Sequence, residues 1–239
     1  MKLNKFNDAA REQTSILAPL EQMALQAFVR RMPSAVNSDH LSALGLVAMF
    51  LGGMCYALSR TNSKWLIAVN VCIFLNWFGD SLDGTLARYR NRLRPRYGFY
   101  VDHIIDAFGA FFLVLGLAIS GYMSERVAGG VLVVFMMLSI NTYLTAYALG
   151  VFKISQWKMG PTEMRLLLIV GNFYLMHRPT AKVFGQRYLL FDIGGVFAVI
   201  GMALVLIFLA IKNTHTLYNL ERLPKMETSL PANVSLDQI

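Results

Sequence analysis

The stretch of sequence that decides the fold runs from Asp80 to Asp106 and reads DSLDGTLARYRNRLRPRYGFYVDHIID. It contains four aspartates in two spaced pairs: Asp80 with Asp83, and Asp102 with Asp106. Residues three or four apart share one face of a helix, so each pair presents two carboxylates in one direction. The segment between the pairs, residues 89–97, is rich in arginine and contains a proline. It predicts a short turn between two antiparallel helices, so that one carboxylate pair faces the other.

Long apolar segments flank both pairs and set the fold class. The chain has 239 residues, of which 56% are hydrophobic and 15% are charged, and its mean hydropathy is +0.48. A soluble domain usually carries about 25% charged residues. The sequence therefore predicts an all-α integral membrane protein, and its length allows about six transmembrane helices. The net charge of +8 comes from basic residues in short loops, a pattern typical of membrane topology, and no nucleic-acid partner is expected.

The hydropathy pattern divides the chain into three parts. Residues 1–39 form a polar N-terminus with an amphipathic helix, residues 40–212 form the membrane domain, and residues 213–239 form a flexible polar cytoplasmic tail. The expected spans are residues 40–59, 64–88, 98–121, 128–149, 162–176 and 193–211. The fifth span is short and is interrupted by Gly171 and Asn172. Three glycines in the first span predict close helix packing there: Gly45, Gly52 and Gly53.

The segment 15–32 has apolar residues at helical spacing but is too polar to span a membrane. The apolar positions are Leu20, Met23, Ala24, Ala27 and Phe28. This pattern favours a juxtamembrane helix that lies on the cytoplasmic surface. An ordinary helix facing the solvent is the alternative.

Basic residues in the short loops indicate the orientation of the chain. The loop between the second and third spans is the most basic, with Arg88, Arg90, Arg92, Arg94 and Arg96. The loop at residues 178–187 is also basic and is an exception to the pattern. The balance predicts that both termini and the acidic stretch face the cytoplasm of a multi-pass protein, which we assign to a bacterial inner membrane. Arg90, Arg92, Arg94 and Arg96 are expected to set this topology and to contact anionic headgroups.

Carboxylates at the ends of membrane helices need a counter-charge. On insertion scales, placing one aspartate at the centre of a membrane helix costs about 2.5 to 3.5 kcal/mol. Arginines could supply part of the compensation, and converging oxygen ligands also suit a hard divalent cation such as Mg²⁺. Gly84 and Ala87 leave the helix without bulk beside the acids, so a ligand could approach its backbone. These features predict a metal-dependent, phosphate-handling pocket, and helix capping with arginine pairing is the simpler alternative.

The spacing DxxDGxxAR, nine residues, GxxxDxxxD resembles the signature of the CDP-alcohol phosphotransferases, also called CDP-alcohol phosphatidyltransferases. These are integral membrane enzymes that make phospholipids. Every signature position is filled in this chain: Asp80, Asp83, Gly84, Ala87, Arg88, Gly98, Asp102 and Asp106. Eight fixed positions within a polytopic membrane protein make the match a specific one.

The resemblance implies an activity and a role for each signature residue. It implies transfer of a phosphate-substituted alcohol from a CDP-alcohol to an acceptor hydroxyl, with release of CMP, where one of the two substrates is a lipid. Asp80, Asp83 and Asp102 would hold one or two Mg²⁺ or Mn²⁺ ions, and Asp106 would be the general base and a further metal ligand. The remaining positions would contact the CDP moiety: Gly84, Ala87, Arg88 and Gly98. The resemblance also implies a homodimer.

Two branches of the family remain open at this stage. His103, directly after Asp102, and the pair Thr162 and Glu163 are similar to dipeptides of the choline and ethanolamine branch, in which diacylglycerol is the acceptor. The other branch transfers a phosphatidyl group from CDP-diacylglycerol to a small polar alcohol. The alternatives from other classes are an ion-coupled transporter and a non-catalytic scaffold that binds metal or lipid.

Overall fold

The computed structural model describes residues 10–12, 17–153 and 160–222. Helices dominate this part of the chain: α1 (Ala18–Arg31), α2 (Ser38–Ser59), α3 (Trp65–Tyr89), α4 (Pro95–Ser120), α5 (Glu125–Leu149), α6 (Pro161–Leu175) and α7 (Leu190–Leu220). The strands in the same residues are short: β1 (Ala10–Glu12), β2 (Val151–Lys153), β3 (Thr180–Val183) and β4 (Gln186–Leu189). The predicted all-α membrane fold is confirmed.

Within the described residues, five helices are long and apolar enough to cross a membrane: α2, α3, α4, α5 and α7. The protein is therefore a multi-pass integral membrane protein. The segment expected as the fifth of six spans forms α6, which has 15 residues. At a rise of 1.5 Å per residue this helix is about 22 Å long, shorter than the hydrocarbon core of roughly 30 Å. Pro161 at its first position and the break after Leu175 limit its length.

The short strands were not predicted. β1 pairs in parallel with β2, so the segment before α1 meets the chain just after α5. β3 and β4 form an antiparallel hairpin between α6 and α7, closed by Phe184 and Gly185 at φ of 51° and 83°. Two positive φ angles are what a tight hairpin turn requires. A strand of three or four residues is too short to show the alternation of apolar and polar residues by which strands are recognised in a sequence.

The C-terminal boundary differs from the expected one. α7 continues to Leu220, whereas the polar tail was expected to begin at residue 213. Backbone hydrogen bonds carry the helix through this polar end as far as Glu221. The rest of the predicted tail, residues 223–239, and the first residues of the predicted N-terminal helix lie outside the described residues.

Glycines let α2 pack closely against α3 and α4. A Cβ added to Gly79 of α3 would lie 2.5 Å from the Leu41 carbonyl oxygen and 2.9 Å from the Gly45 amide nitrogen of α2. A Cβ on Gly116 of α4 would overlap the backbone of Gly53. These contacts confirm the close packing predicted for the glycines of the first span. They place the start of α2 against the second half of α3, and the second half of α2 against the second half of α4.

α1 packs against α3 through the side opposite its predicted apolar stripe. Leu25 and Val29 are buried against Leu82 and Leu86. In contrast, Leu20 of the stripe is exposed, as are Met23 and Phe28. Leu20 and Met23 therefore face away from the bundle, as in a helix that lies on a membrane surface. Phe28, at the edge of the stripe, contacts the Phe78 ring of α3 with centroids 5.5 Å apart.

Candidate functional site

Three of the four signature aspartates line one narrow cavity. Asp80 and Asp83 come from α3 and Asp102 comes from α4, and we call these three the acid cluster. The other lining residues are Ser42, Gly45, Asn76 and Ile105. The cavity volume of about 10 Å³ is close to that of one water-sized sphere. The cavity is therefore large enough for a single ion or water molecule and far too small for a nucleotide.

Asp106 lies beside this cavity and not in its lining. It is exposed, one helical turn beyond Asp102 on α4. It is close enough to Tyr143 of α5 for the two groups to interact electrostatically. Each turn of a helix advances about 5.4 Å, which separates Asp106 from the three acids that meet. The sequence predicted that two pairs of acids face each other. Three of those four acids meet at the cavity: Asp80, Asp83 and Asp102.

The protein supplies polar partners to the carboxylates of Asp80 and Asp83. Asp83 is buried and accepts a hydrogen bond of 2.6 Å from the Ser42 hydroxyl and one of 2.5 Å from the Gly84 amide. Asp80, with a side chain 32% exposed, forms an ion pair with Arg165 of α6 at 2.7 Å. The arginine neutralises one of the three negative charges, and it does so from a helix that is distant in sequence.

The donor atoms at the cavity suit a hard divalent cation. Among the residues that the structure describes, no three His, Cys, Asp or Glu side chains stand close enough together to hold a metal ion without moving. The carboxylates of Asp80 and Asp83 are turned toward Arg165 and Ser42 instead. The three carboxylates nevertheless line the same cavity from two helices, and carboxylate oxygens are the ligands that Mg²⁺ and Mn²⁺ prefer.

A larger cleft of about 330 Å³ lies next to the acid cluster, between the start of α2 and the turn from α3 to α4. Its lining contains Asn37, Ser38, Asp39, Leu86, Ala87, Arg90, Arg92, Leu93 and Arg94. Ala87 is thus the signature residue that this cleft contains. Basic side chains and the first residues of a helix give the cleft a character that suits an anion.

The other residues expected to contact CDP are Gly84, Arg88 and Gly98. Neither glycine is in tight contact with another described residue. A Cβ on Gly84 would be 3.8 Å from an Arg88 guanidinium nitrogen, which is an ordinary contact, and the Arg88 guanidinium donates to Thr85 at 3.2 Å. A Cβ on Gly98 would meet no described atom within 4 Å. The described part of the chain therefore makes no close contact with Gly98, and its contact with the CDP moiety stays a prediction.

Two arginines of the turn have a structural role that the sequence analysis missed. The Arg90 guanidinium donates to the carbonyl oxygens of Met32 and Pro33, at 3.1 and 2.8 Å, and also to that of Val36. Arg94 pairs with Asp39 and lies 4.0 Å from the Tyr97 ring centroid. The last carbonyl oxygens of a helix need hydrogen-bond donors from elsewhere in the protein. The end of α1 at Arg31 was therefore the feature that could have indicated this role for Arg90.

A buried carboxylate on α1 joins three helices. Glu21 Oε1 accepts hydrogen bonds from Trp77 Nε1 and Ser81 Oγ of α3, both at 2.8 Å, and from Thr162 Oγ1 of α6 at 3.0 Å. The neighbouring Glu163 accepts from the amides of Leu17 and Gly160, at 3.0 and 2.9 Å. The sequence analysis did not identify Glu21 as important. The feature that could have indicated it is the position of this acid on the side of α1 that faces α3, which is otherwise apolar.

His103 faces α5. Its Nδ1 is within hydrogen-bond distance of the Phe99 carbonyl oxygen, and its ring contacts the edge of Tyr143 with centroids 4.5 Å apart. His103 and Asp106 therefore both approach Tyr143, and neither lines the cavity of the acid cluster.

A second buried polar group lies further along the same helices. Tyr56 of α2 donates to Asn172 Oδ1 of α6 at 2.7 Å, and Asn172 Nδ2 donates to Asn70 Oδ1 of α3 at 2.8 Å. We call these three residues the neutral cluster. They fix α6 against α2 and α3 without any charge.

Comparison with known protein families gives one match. A family model described as CDP-alcohol phosphatidyltransferase matches residues 38–213, from the first residue of α2 into α7. A comparison with curated proteins found no match. The matched range covers most of the chain and includes the acid cluster, the neutral cluster and every lining residue of the larger cleft except Asn37.

Proposed function

The chain belongs to the CDP-alcohol phosphatidyltransferase family, and we propose that it transfers a phosphate-linked alcohol from a CDP-alcohol to an acceptor hydroxyl in phospholipid synthesis, with release of CMP. One of the two substrates is a lipid in this proposal. The observation that carries it is the meeting of Asp80, Asp83 and Asp102 from two helices around one cavity. A membrane helix has no structural need for three converging carboxylates, whereas a pyrophosphate substrate with its cation has.

The proposed cofactor is Mg²⁺ or Mn²⁺, held by the acid cluster. When bound, the cation neutralises charge on the pyrophosphate of the donor. Support comes from the convergence of three carboxylates on one cavity, where Asp80 pairs with Arg165 and Asp83 accepts from the neutral Ser42 hydroxyl. A divalent ion would reduce the repulsion among these like charges.

The CDP moiety is proposed to bind along the larger cleft beside Ala87, with Gly84, Arg88 and Gly98 nearby. The cleft volume of about 330 Å³ is within the usual range for small-molecule pockets. No tight helix contact explains the glycines at positions 84 and 98, so their backbone is open to a ligand. Arg88 supplies a fixed positive charge for a phosphate.

Asp106 is proposed as the general base. It would take the proton from the acceptor hydroxyl, whose oxygen then forms a bond to the phosphorus that carries the alcohol of the donor. The bond from that phosphorus to the bridging oxygen breaks, and the electron pair leaves with CMP. An exposed carboxylate one turn from the acid cluster is accessible to an acceptor, which supports this role.

The finer parts of the proposal rest on the sequence. The basic loops favour a site facing the cytoplasm of a bacterial inner membrane. The family resemblance favours a homodimer. Two substrate pairs fit the proposal, CDP-diacylglycerol with a small polar alcohol, and CDP-choline or CDP-ethanolamine with diacylglycerol.

The test is CMP release by the purified protein in lipid nanodiscs with Mg²⁺, for each substrate pair. We expect CMP from one pair, and its loss in Asp106→Asn. Asp192→Asn is the matched control, because Asp192 at the start of α7 only caps the Ser124 amide at 2.6 Å, near the opposite end of α4. Absence of CMP with every pair, while the protein still binds the cation, would contradict the transferase and favour a metal-binding scaffold.

A further inference from the structure

The cavity of the acid cluster contains a buried polar atom that the proposed reaction does not use. Asn76 of α3 is 3% exposed and lines this cavity. Its Nδ2 donates to the carbonyl oxygen of Gly45 on α2 at 3.2 Å. Its Oδ1 is buried and has no hydrogen-bond partner among the residues that the structure describes.

The contact with Gly45 fixes which end of the Asn76 amide has no partner. A carbonyl oxygen only accepts hydrogen bonds, so the nitrogen of the side chain must face α2 and the oxygen must face elsewhere. A buried amide oxygen without a partner costs about 1 to 3 kcal/mol. That cost disappears when an occupant of the cavity contacts the oxygen.

Helix geometry places Asn76 on the same face as two acids of the cluster. Asp80 and Asp83 follow it by four and seven residues on α3. Side chains at this spacing lie one above another along a helix. Asn76 therefore forms the deep end of the cavity, one turn further into the bundle than Asp80.

The kind of occupant follows from the shared chemistry of the lining. The Asn76 oxygen and the carboxylates are all acceptors, so a phosphate oxygen would be repelled by each of them. The volume of about 10 Å³ admits one ion or one water molecule. A neutral oxygen adds a ligand without adding to the repulsion among the three acids, as backbone and amide oxygens do at other sites for hard cations.

We propose that Asn76 Oδ1 is a neutral oxygen ligand for the divalent cation held by the acid cluster. This inference rests on the metal dependence proposed above. It adds a fourth oxygen donor, from outside the family signature, to those of Asp80, Asp83 and Asp102.

The test is Mn²⁺ affinity of the purified full chain, measured from the electron paramagnetic resonance signal of free Mn²⁺. Asn76→Leu removes the oxygen and should weaken binding by about tenfold or more. Asn76→Asp adds a charged oxygen and should strengthen binding several-fold, because affinity rises with the charge of the ligands. Both variants lose the hydrogen bond to Gly45, so opposite shifts separate a ligand from a residue that only joins α2 to α3.

Asn70→Leu is the matched control. Asn70 is a buried asparagine on the same helix, but its oxygen is bonded to Asn172 and it lies away from the cavity. Its variant should keep the wild-type Mn²⁺ affinity, and melting temperatures of all variants check that they fold.

Two results would overturn the inference while leaving the proposed reaction intact: unchanged Mn²⁺ affinity in Asn76→Leu, or weakened affinity in both Asn76 variants. Failure of the wild-type protein to bind Mn²⁺ would remove the proposed metal dependence and the inference together. The wild-type titration therefore distinguishes the two failures.

Discussion

The neutral cluster and the acid cluster lie on overlapping sets of helices and use their polar atoms in opposite ways. In the neutral cluster, Tyr56 and Asn172 are fully buried, and their hydrogen bonds join α2, α3 and α6 to one another. In the acid cluster, three carboxylates line one cavity. Asp80 pairs with Arg165, and Asp83 accepts hydrogen bonds from the Ser42 hydroxyl and the Gly84 amide. The first cluster carries no charge, although Asn70 Nδ2 has no hydrogen-bond partner among the described residues. The second cluster brings like charges together. Neutral polar residues in a membrane protein thus stabilise packing, whereas converging like charges indicate a ligand.

This difference predicts opposite responses to mutation. Loss of a paired polar group in the neutral cluster should lower stability and leave the chemistry intact. Loss of a carboxylate from the acid cluster should relieve repulsion between like charges, so stability is kept while activity is lost. A trade of this kind between stability and activity is common at functional sites.

The largest effect is expected for Asp102→Asn. This change removes one cation ligand, and a catalytic cation contributes several kcal/mol, so CMP release should fall by roughly 100-fold to 1000-fold. The melting temperature should equal or exceed that of the wild-type protein, because one of three like charges is gone. Steady-state CMP release and differential scanning fluorimetry on one preparation check both parts. A large drop in melting temperature would instead mean that Asp102 stabilises the fold, as the residues of the neutral cluster do.

The next effect is a loss of stability in Tyr56→Phe. Removing the hydroxyl leaves the buried Asn172 oxygen without its donor, which should cost about 1 kcal/mol in a membrane helix bundle. CMP release per folded protein should stay within about twofold of the wild-type value. Unfolding in mixed detergent micelles measures the stability change. Equal stability combined with lost CMP release would break the division between the two clusters.

Arg165→Gln should produce a smaller change in metal binding. Arg165 competes with a cation for Asp80, and a partly exposed ion pair is worth up to about 1 kcal/mol. Removing this competition should therefore tighten Mn²⁺ binding by up to about fivefold. Arg178→Gln, in the loop after α6, is the control and should leave the affinity unchanged. Weaker Mn²⁺ binding in Arg165→Gln would mean that Arg165 orders the acid cluster and does not compete with the ion.

The smallest effect is expected for Glu21→Gln, which tests whether charge alone identifies a functional residue. Glu21 is an acid, but Trp77, Ser81 and Thr162 all donate to it, as partners do in the neutral cluster. Glutamine keeps one accepting oxygen, so the free energy of unfolding should fall by less than about 1 kcal/mol. CMP release should remain within about twofold. Loss of CMP release without loss of stability would place Glu21 with the acid cluster.

The features that follow from local sequence were predictable. Hydropathy predicted α2, α3, α4 and α5 to within about three residues at each end, whereas α7 continues to Leu220, past the expected end of its span at residue 211. Helical spacing put the aspartates of each pair on one face. The glycines of α2 likewise predicted its close contacts with α3 and α4.

Contacts between distant parts of the chain were not predictable in this way. α6 supplies Arg165 as the partner of Asp80 and Thr162 as one of the three donors to Glu21, 85 and 141 residues further along the chain, and only the packed bundle brings them together. Asn76 did have a sequence signal, since it stands four residues before Asp80 on the same helical face. It was missed because a lone asparagine in an apolar span resembles the structural asparagines of the neutral cluster.

The central claim is that the acid cluster holds a divalent cation needed for CMP release. The most direct measurement is CMP release with the productive substrate pair after chelation with EDTA and dialysis, followed by stepwise return of Mg²⁺. We expect no CMP without the cation and full recovery on its return in the wild-type protein, and no recovery in Asp83→Asn at the Mg²⁺ concentration that restores the wild-type protein. CMP release that persists after chelation would contradict the claim.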